Sequence, residues 1–154
     1  MLSLQANLYA LPPTATAGPV RTLRGVDAAT LVGAGGGPPL FLDLMPVTFE
    51  AMQQRLAELP RCDCEPDGFF LVTGRTAEGQ FWRLNGHMHE LRPDGADEPR
   101  MHRVELAGEC PPGTLDMVLR TMGWPDVELA FELVREGVTL READFRAWAE
   151  RSES

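Results

Sequence analysis

Leu2, Leu4, Ala6, Leu8 and Ala10 alternate with Ser3, Gln5, Asn7 and Tyr9, the period of two that marks a strand with one buried face. Pro12-Pro13 ends it. Asp27 is placed to cap a short helix running to Val32, because its carboxylate can accept from the free N–H groups of a first turn. Gly33 to Gly37 and Pro38-Pro39 then break the chain, and the apolar run from Leu40 to Met45 predicts a buried central strand. Thr48 opens a helix that carries Phe49, Met52, Leu56 and Leu59 along one face and that Pro60 closes.

The middle of the chain reads as sheet. Phe69 to Thr73 and Phe81 to Leu84 are rich in strand formers and flank the turn Thr76-Ala77-Glu78-Gly79, which predicts a hairpin. Asn85-Gly86 is a strong turn dipeptide, yet Trp82, Leu84 and Met88 keep one phase through it, so a turn and a bulge within a longer strand both fit. A polar loop from Arg92 to Pro99 leads to a strand over Met101 to Ala107. From Gly113 the period turns helical. Leu115, Val118, Leu119 and Met122 form one stripe, and Val127, Ala130, Phe131 and Val134 form a second, with Gly137 as its C′ residue. Thr139 and Glu142 match a capping box for a last helix that buries Phe145, Trp148 and Ala149.

These elements predict a single α+β domain over residues 1–154, with strand and helix in 1–60, an antiparallel β-meander in 61–112 and helices in 113–151. Its sheet is expected to have about four or five strands, packed by one mid-chain helix and a C-terminal set of about three short helices.

Composition narrows the chemistry. All 14 basic residues are Arg, against 23 acids and a net charge of −9, and the only serines are Ser3, Ser152 and Ser154. Without lysine there is no Schiff-base amine and no P-loop Gly-Lys-Ser/Thr, and terminal serines are poorly placed for an activated nucleophile. The missing Lys and Ile both have A/T-rich codons, which points to a GC-rich bacterial genome. Residues 1–60 carry 3 Arg against 4 acids, 61–112 carry 6 against 10 and 113–154 carry 5 against 9, so no segment offers a basic patch for nucleic acid. No apolar run reaches membrane-spanning length, and Met1 to Ala10 do not read as a secretory signal. Three cysteines cannot all pair, which leads to the expectation of reduced thiols and a cytoplasmic protein.

Two loop motifs fail on their chemistry. The Gly33 to Gly37 loop has Pro38 where a dinucleotide fingerprint needs glycine, and it leads into a strand and not a helix. Asp63 to Gly68 imitates the start of a calcium loop, but its twelfth position is Gly74, not a bidentate Glu. Pairs such as Glu90 with Asp94, or Glu105 with Glu109, are drawn easily in so acidic a chain and carry no acid–base assignment. Cys110, ahead of a helix start, has no histidine partner in view.

One cluster stands out. Cys62-x-Cys64, His87-x-His89, His102 and Cys110 are every Cys and His in the chain, all within one meander. Residues two apart on a strand share a face, so His87 and His89 can present two imidazoles together, as zinc or iron sites require. His-x-His on a strand resembles the metal motif of the cupin family, with Asp94 near the place of its carboxylate, but the likeness covers only about ten residues and ends there. The plain alternative is that the histidines are exposed polar residues and the cysteines small fillers.

The leading functional expectation is a non-enzymatic module that binds a protein partner or a second copy of itself, with no nucleic-acid or membrane partner and no cofactor. The alternative is a metal-binding protein or small metalloenzyme that holds zinc or iron through His87, His89, His102, Cys62 and Cys64.

Overall fold

The alternation of the first ten residues becomes the middle of the sheet. In the computed structural model, which describes residues 1–151, β1 (Leu2–Ala10) lies between β7 (Arg100–Cys110) and β8 (Leu129–Leu133), antiparallel to both. Beyond β7 come β6 (Phe81–Leu91), β5 (Phe69–Arg75) and the short edge strand β4 (Cys62–Cys64). β9 (Val138–Leu140) forms the other edge, giving seven strands in the order β4-β5-β6-β7-β1-β8-β9. A separate hairpin of β2 (Thr16–Leu23) and β3 (Val26–Val32) turns at Arg24-Gly25, both with positive φ, and brings the count among the described residues to nine strands where four or five were expected.

One face of the sheet is covered; the other is open along β5, β6 and β7 but buries Tyr9 and Ala130 where β1 meets β8. Leu2, Leu4, Ala6 and Leu8 of β1 join Leu84 and Met88 of β6 and Val104 and Leu106 of β7 in one buried cluster. Met52 and Leu56 of α1 (Phe49–Ala57), Leu115, Val118 and Leu119 of α2 (Pro112–Arg120), and Phe145, Trp148 and Ala149 of α3 (Glu142–Ala149) complete it. Each large apolar side chain removed from water there contributes about 1.5–3 kcal/mol. The alternate residues, among them Gln5, Asn7, Asn85, His87 and Glu105, line the uncovered face.

The hairpin is fastened to this body by a cation. Arg24 places its guanidinium 3.9 Å from the Trp148 ring centroid and donates to the Ser3 carbonyl at 2.9 Å. Such a stacked, hydrogen-bonded arginine adds about 0.5–2 kcal/mol.

Several sequence expectations are corrected. Asp27 to Val32 is strand, not helix: Asp27 accepts from Thr22 across the hairpin at 2.5 Å and caps nothing. Leu40 to Met45 is irregular, because prolines bracket it and only Met45 reaches the core, its N–H donating to Met101 at 2.9 Å. The expected helical stripe from Val127 to Val134 is instead the hairpin β8–β9, since a place beside β1 rewards strand residues that bury Leu129, Phe131 and Leu133. Gly137 accordingly sits in the turn of that hairpin at φ 67°. Thr139 is buried in β9, and α3 starts at Glu142, preceded by an extended Arg141 at the N-cap that makes no side-chain cap bond. The C-terminal region thus holds two helices and a hairpin, not three helices. Asn85-Gly86 makes neither turn nor bulge; the register runs straight through it and shifts only between His89 and Glu90. Ser152 and Ser154 lie outside the described residues.

Candidate metal centre on the open sheet face

The register of three strands assembles the site. His87 on β6 stands opposite Phe69 on β5 and opposite Glu105 on β7, and His89 stands opposite Arg103. Cross-strand neighbours on one face are close enough for side-chain contact. His87 Nδ1 is 3.6 Å from Glu105 Oε2 and His89 Nε2 is 3.4 Å from the same oxygen, while the two ring centroids are 4.2 Å apart. Phe69 stacks on His87 at 3.8 Å and 13°, which fixes the plane of that imidazole.

The geometry suits an ion. Nitrogen or oxygen ligands about 2.1 Å from a tetrahedral ion stand about 3.4 Å from one another. The two histidine-to-carboxylate distances match that edge, and all three donor atoms lie within 4.8 Å of one another. His89 Nε2 is buried, and its 3.4 Å approach to Glu105 Oε2 lacks the geometry of a hydrogen bond. A buried polar atom without a hydrogen bond costs about 1–3 kcal/mol.

The electrostatics favour the ligating form. Burial holds His89 below the ordinary histidine value, Arg103 and His87 add to that, and Glu105 opposes it. That direction favours the neutral imidazole, which has a lone pair to offer. Arg103 approaches the other oxygen of the carboxylate, Glu105 Oε1, at 3.6 Å. Oε2 is left facing the histidines, and a partner on the far oxygen orients it, as ligating carboxylates usually require. Tyr9 is held above the ordinary tyrosine value by burial and then by Glu132.

Not every expected residue arrives here. His102 lies in the register shift at the end of the β6–β7 pairing and does not join the pair; its Nε2 sits 2.7 Å from the Phe41 carbonyl oxygen beside the Tyr9 ring. Cys62 and Cys64 stand opposite Val72 and Phe70, whose side chains point into the core, so the cysteines occupy the helix-bearing side of the sheet. Burial, then Cys64, push the Cys62 thiol up to about 12. Cys110 is fully buried at the far end of β7, and burial likewise raises it to about 12. Asp94 lies in the exposed loop after β6. Glu105, read from the sequence only as one of many acids, is the residue that joins the two histidines, and the signal that would have found it is the β6–β7 register.

Beside the trio runs a shallow groove of about 380 Å³, lined by Gln5, Asn7, Asn85, Ala107 and Val134 together with His87 and Glu105. A metal held by two imidazoles and one carboxylate keeps coordination positions open, the arrangement of catalytic zinc and of non-haem iron(II) sites. Comparison with protein-family models, curated proteins and solved structures finds no match for this chain.

Proposed function

We propose that the protein binds one divalent transition-metal ion, zinc(II) or iron(II), through His87, His89 and Glu105. The carrying observation is the convergence of two histidine nitrogens on one carboxylate oxygen at 3.4 and 3.6 Å, with a buried His89 Nε2 that lacks any hydrogen bond. The open positions of such an ion would face the groove, whose amide side chains suit water or a small polar ligand. This reading replaces the wider His/Cys set by three residues that share one face of the sheet.

Calorimetric titration of the metal-free chain with Zn(II), and absorption with Co(II) as the coloured substitute, test it. One equivalent should bind to the native chain, and His89→Ala and Glu105→Ala should each cost tenfold or more in affinity. Binding that both variants leave unchanged would defeat the assignment.

A partner-binding role keeps one specific observation in its favour. Leu40 and Leu42 are 73% and 79% exposed on the irregular segment whose Phe41 stacks on Tyr9. If they meet a second copy, light scattering should show a dimer that Leu40→Ser with Leu42→Ser dissociates, and a native monomer up to high concentration would remove this support.

A further inference from the structure

Cys62 and Cys64 form a second constellation, on the opposite side of the sheet from the histidines. Both side chains project from β4 toward the helix-bearing side, and their sulfurs are 3.9 Å apart. β4 is the last strand of the sheet, so its outer edge pairs with no other strand among the described residues. The two thiols are partly buried, packed at the rim of the core, unlike the fully buried Cys110. They contact each other, and no third His, Cys, Asp or Glu of the described residues joins them in a ligand group.

Each of these facts selects among ligands. Structural zinc takes four ligands, and only two are present here. A disulfide needs sulfurs at about 2.0 Å with closely spaced Cα atoms, which an extended strand opposes for residues two apart. Soft thiolates favour copper(I), a monovalent ion that accepts few ligands. Taking the zinc–thiolate bond of about 2.3 Å as the scale of a metal–sulfur bond, a straight sulfur–metal–sulfur unit spans about 4.6 Å. Side-chain rotation at an edge strand has only about 0.7 Å to supply beyond the present separation.

We propose that Cys62 and Cys64 form a two-thiolate site for one soft monovalent ion, copper(I), separate from the His87–His89–Glu105 centre. Binding forms two sulfur–copper bonds, releases the two thiol protons to solvent and leaves the oxidation state of copper unchanged. The site sits at an open rim, so the ion can enter and leave without unfolding the core.

The test is anaerobic titration of the reduced full chain with copper(I) supplied as its coloured bicinchoninate complex. The native chain should withdraw one equivalent and bleach the dye accordingly. Cys110→Ser and the pair His87→Ala with His89→Ala should do the same, which separates this proposal from the divalent site. Cys62→Ser with Cys64→Ser should withdraw none. Alkylation of the native chain by iodoacetamide, read by mass spectrometry, supplies a measurement that needs no variant to fold: copper(I) should shield the peptide carrying Cys62 and Cys64. No withdrawal, withdrawal that survives the double serine variant, or thiols alkylated equally with and without copper(I) would each overturn the proposal.

Discussion

His87 and Glu105 face one another directly across β6 and β7, with Nδ1 3.6 Å from Oε2, and His89 reaches the same oxygen from two residues along the strand. One carboxylate oxygen therefore gathers two imidazoles that the backbone already holds on one face. Because the site is built by the folded register and not by local sequence, the metal should bind the native state alone. At a free concentration a hundred times its dissociation constant it would add about 2.7 kcal/mol of stability. Urea unfolding with and without Zn(II) should show that gain in the native chain and lose most of it in Glu105→Ala.

The depressed His89 sets a pH dependence in the metal-free chain. Above the unfolded histidine value of about 6.5 both states carry a neutral ring and His89 contributes nothing. Below it the unfolded chain takes up a proton that the folded chain resists. Stability should therefore fall as pH drops through about 6.5 and level off once the pH passes below the folded-state value. His89→Gln should flatten that part of a plot of urea midpoint against pH, and an unaltered plot would contradict the role given to burial.

His102 has a different task from the other histidines. Its Nε2 meets the Phe41 carbonyl oxygen at 2.7 Å, and Phe41 in turn stacks on Tyr9 at 3.8 Å. His102→Ala should leave one-to-one metal binding intact while loosening the segment from Gly33 to Val47. Limited proteolysis should cut that segment several times faster than in the native chain.

Gly86 exists to let Phe70 lie flat across β6. A Cβ there would come within 2.0 Å of the Phe70 ring. Gly86→Ala should cost about 1–3 kcal/mol, the usual range for overpacking. In a Phe70→Leu background the same change should cost clearly less, since the ring is what the methyl group meets. Equal costs in the two backgrounds would place the clash elsewhere.

What could be read from the letters was what period and local chemistry control. The alternation in β1, the face of α1 from Phe49 to Leu56 with its Thr48 cap, and the β5–β6 hairpin all depend on residues within a few positions of one another. The α+β class followed from them, with too few strands. Leu129 to Leu133 was misread because its apolar residues satisfy a helical period, and the place beside β1 that makes it a strand lies more than a hundred residues away. The shared face of His87 and His89 was legible from their spacing. Glu105 was not, because its position depends on which residue of β7 meets which residue of β6. The register shift after His89 was equally invisible, and beside it His102 meets Phe41 and not the other histidines.

The central place of β1 bears on how the chain is made. Synthesis delivers residues 2–10 well before both strands that flank them, β7 at Arg100–Cys110 and β8 at Leu129–Leu133. Until β7 is made the nascent middle strand has two bare edges and an apolar stripe, the condition in which strands pair with wrong partners. The centre of the seven-stranded sheet therefore cannot close on both sides until β8 has been made, although β4 to β7 can pair in sequence order before that.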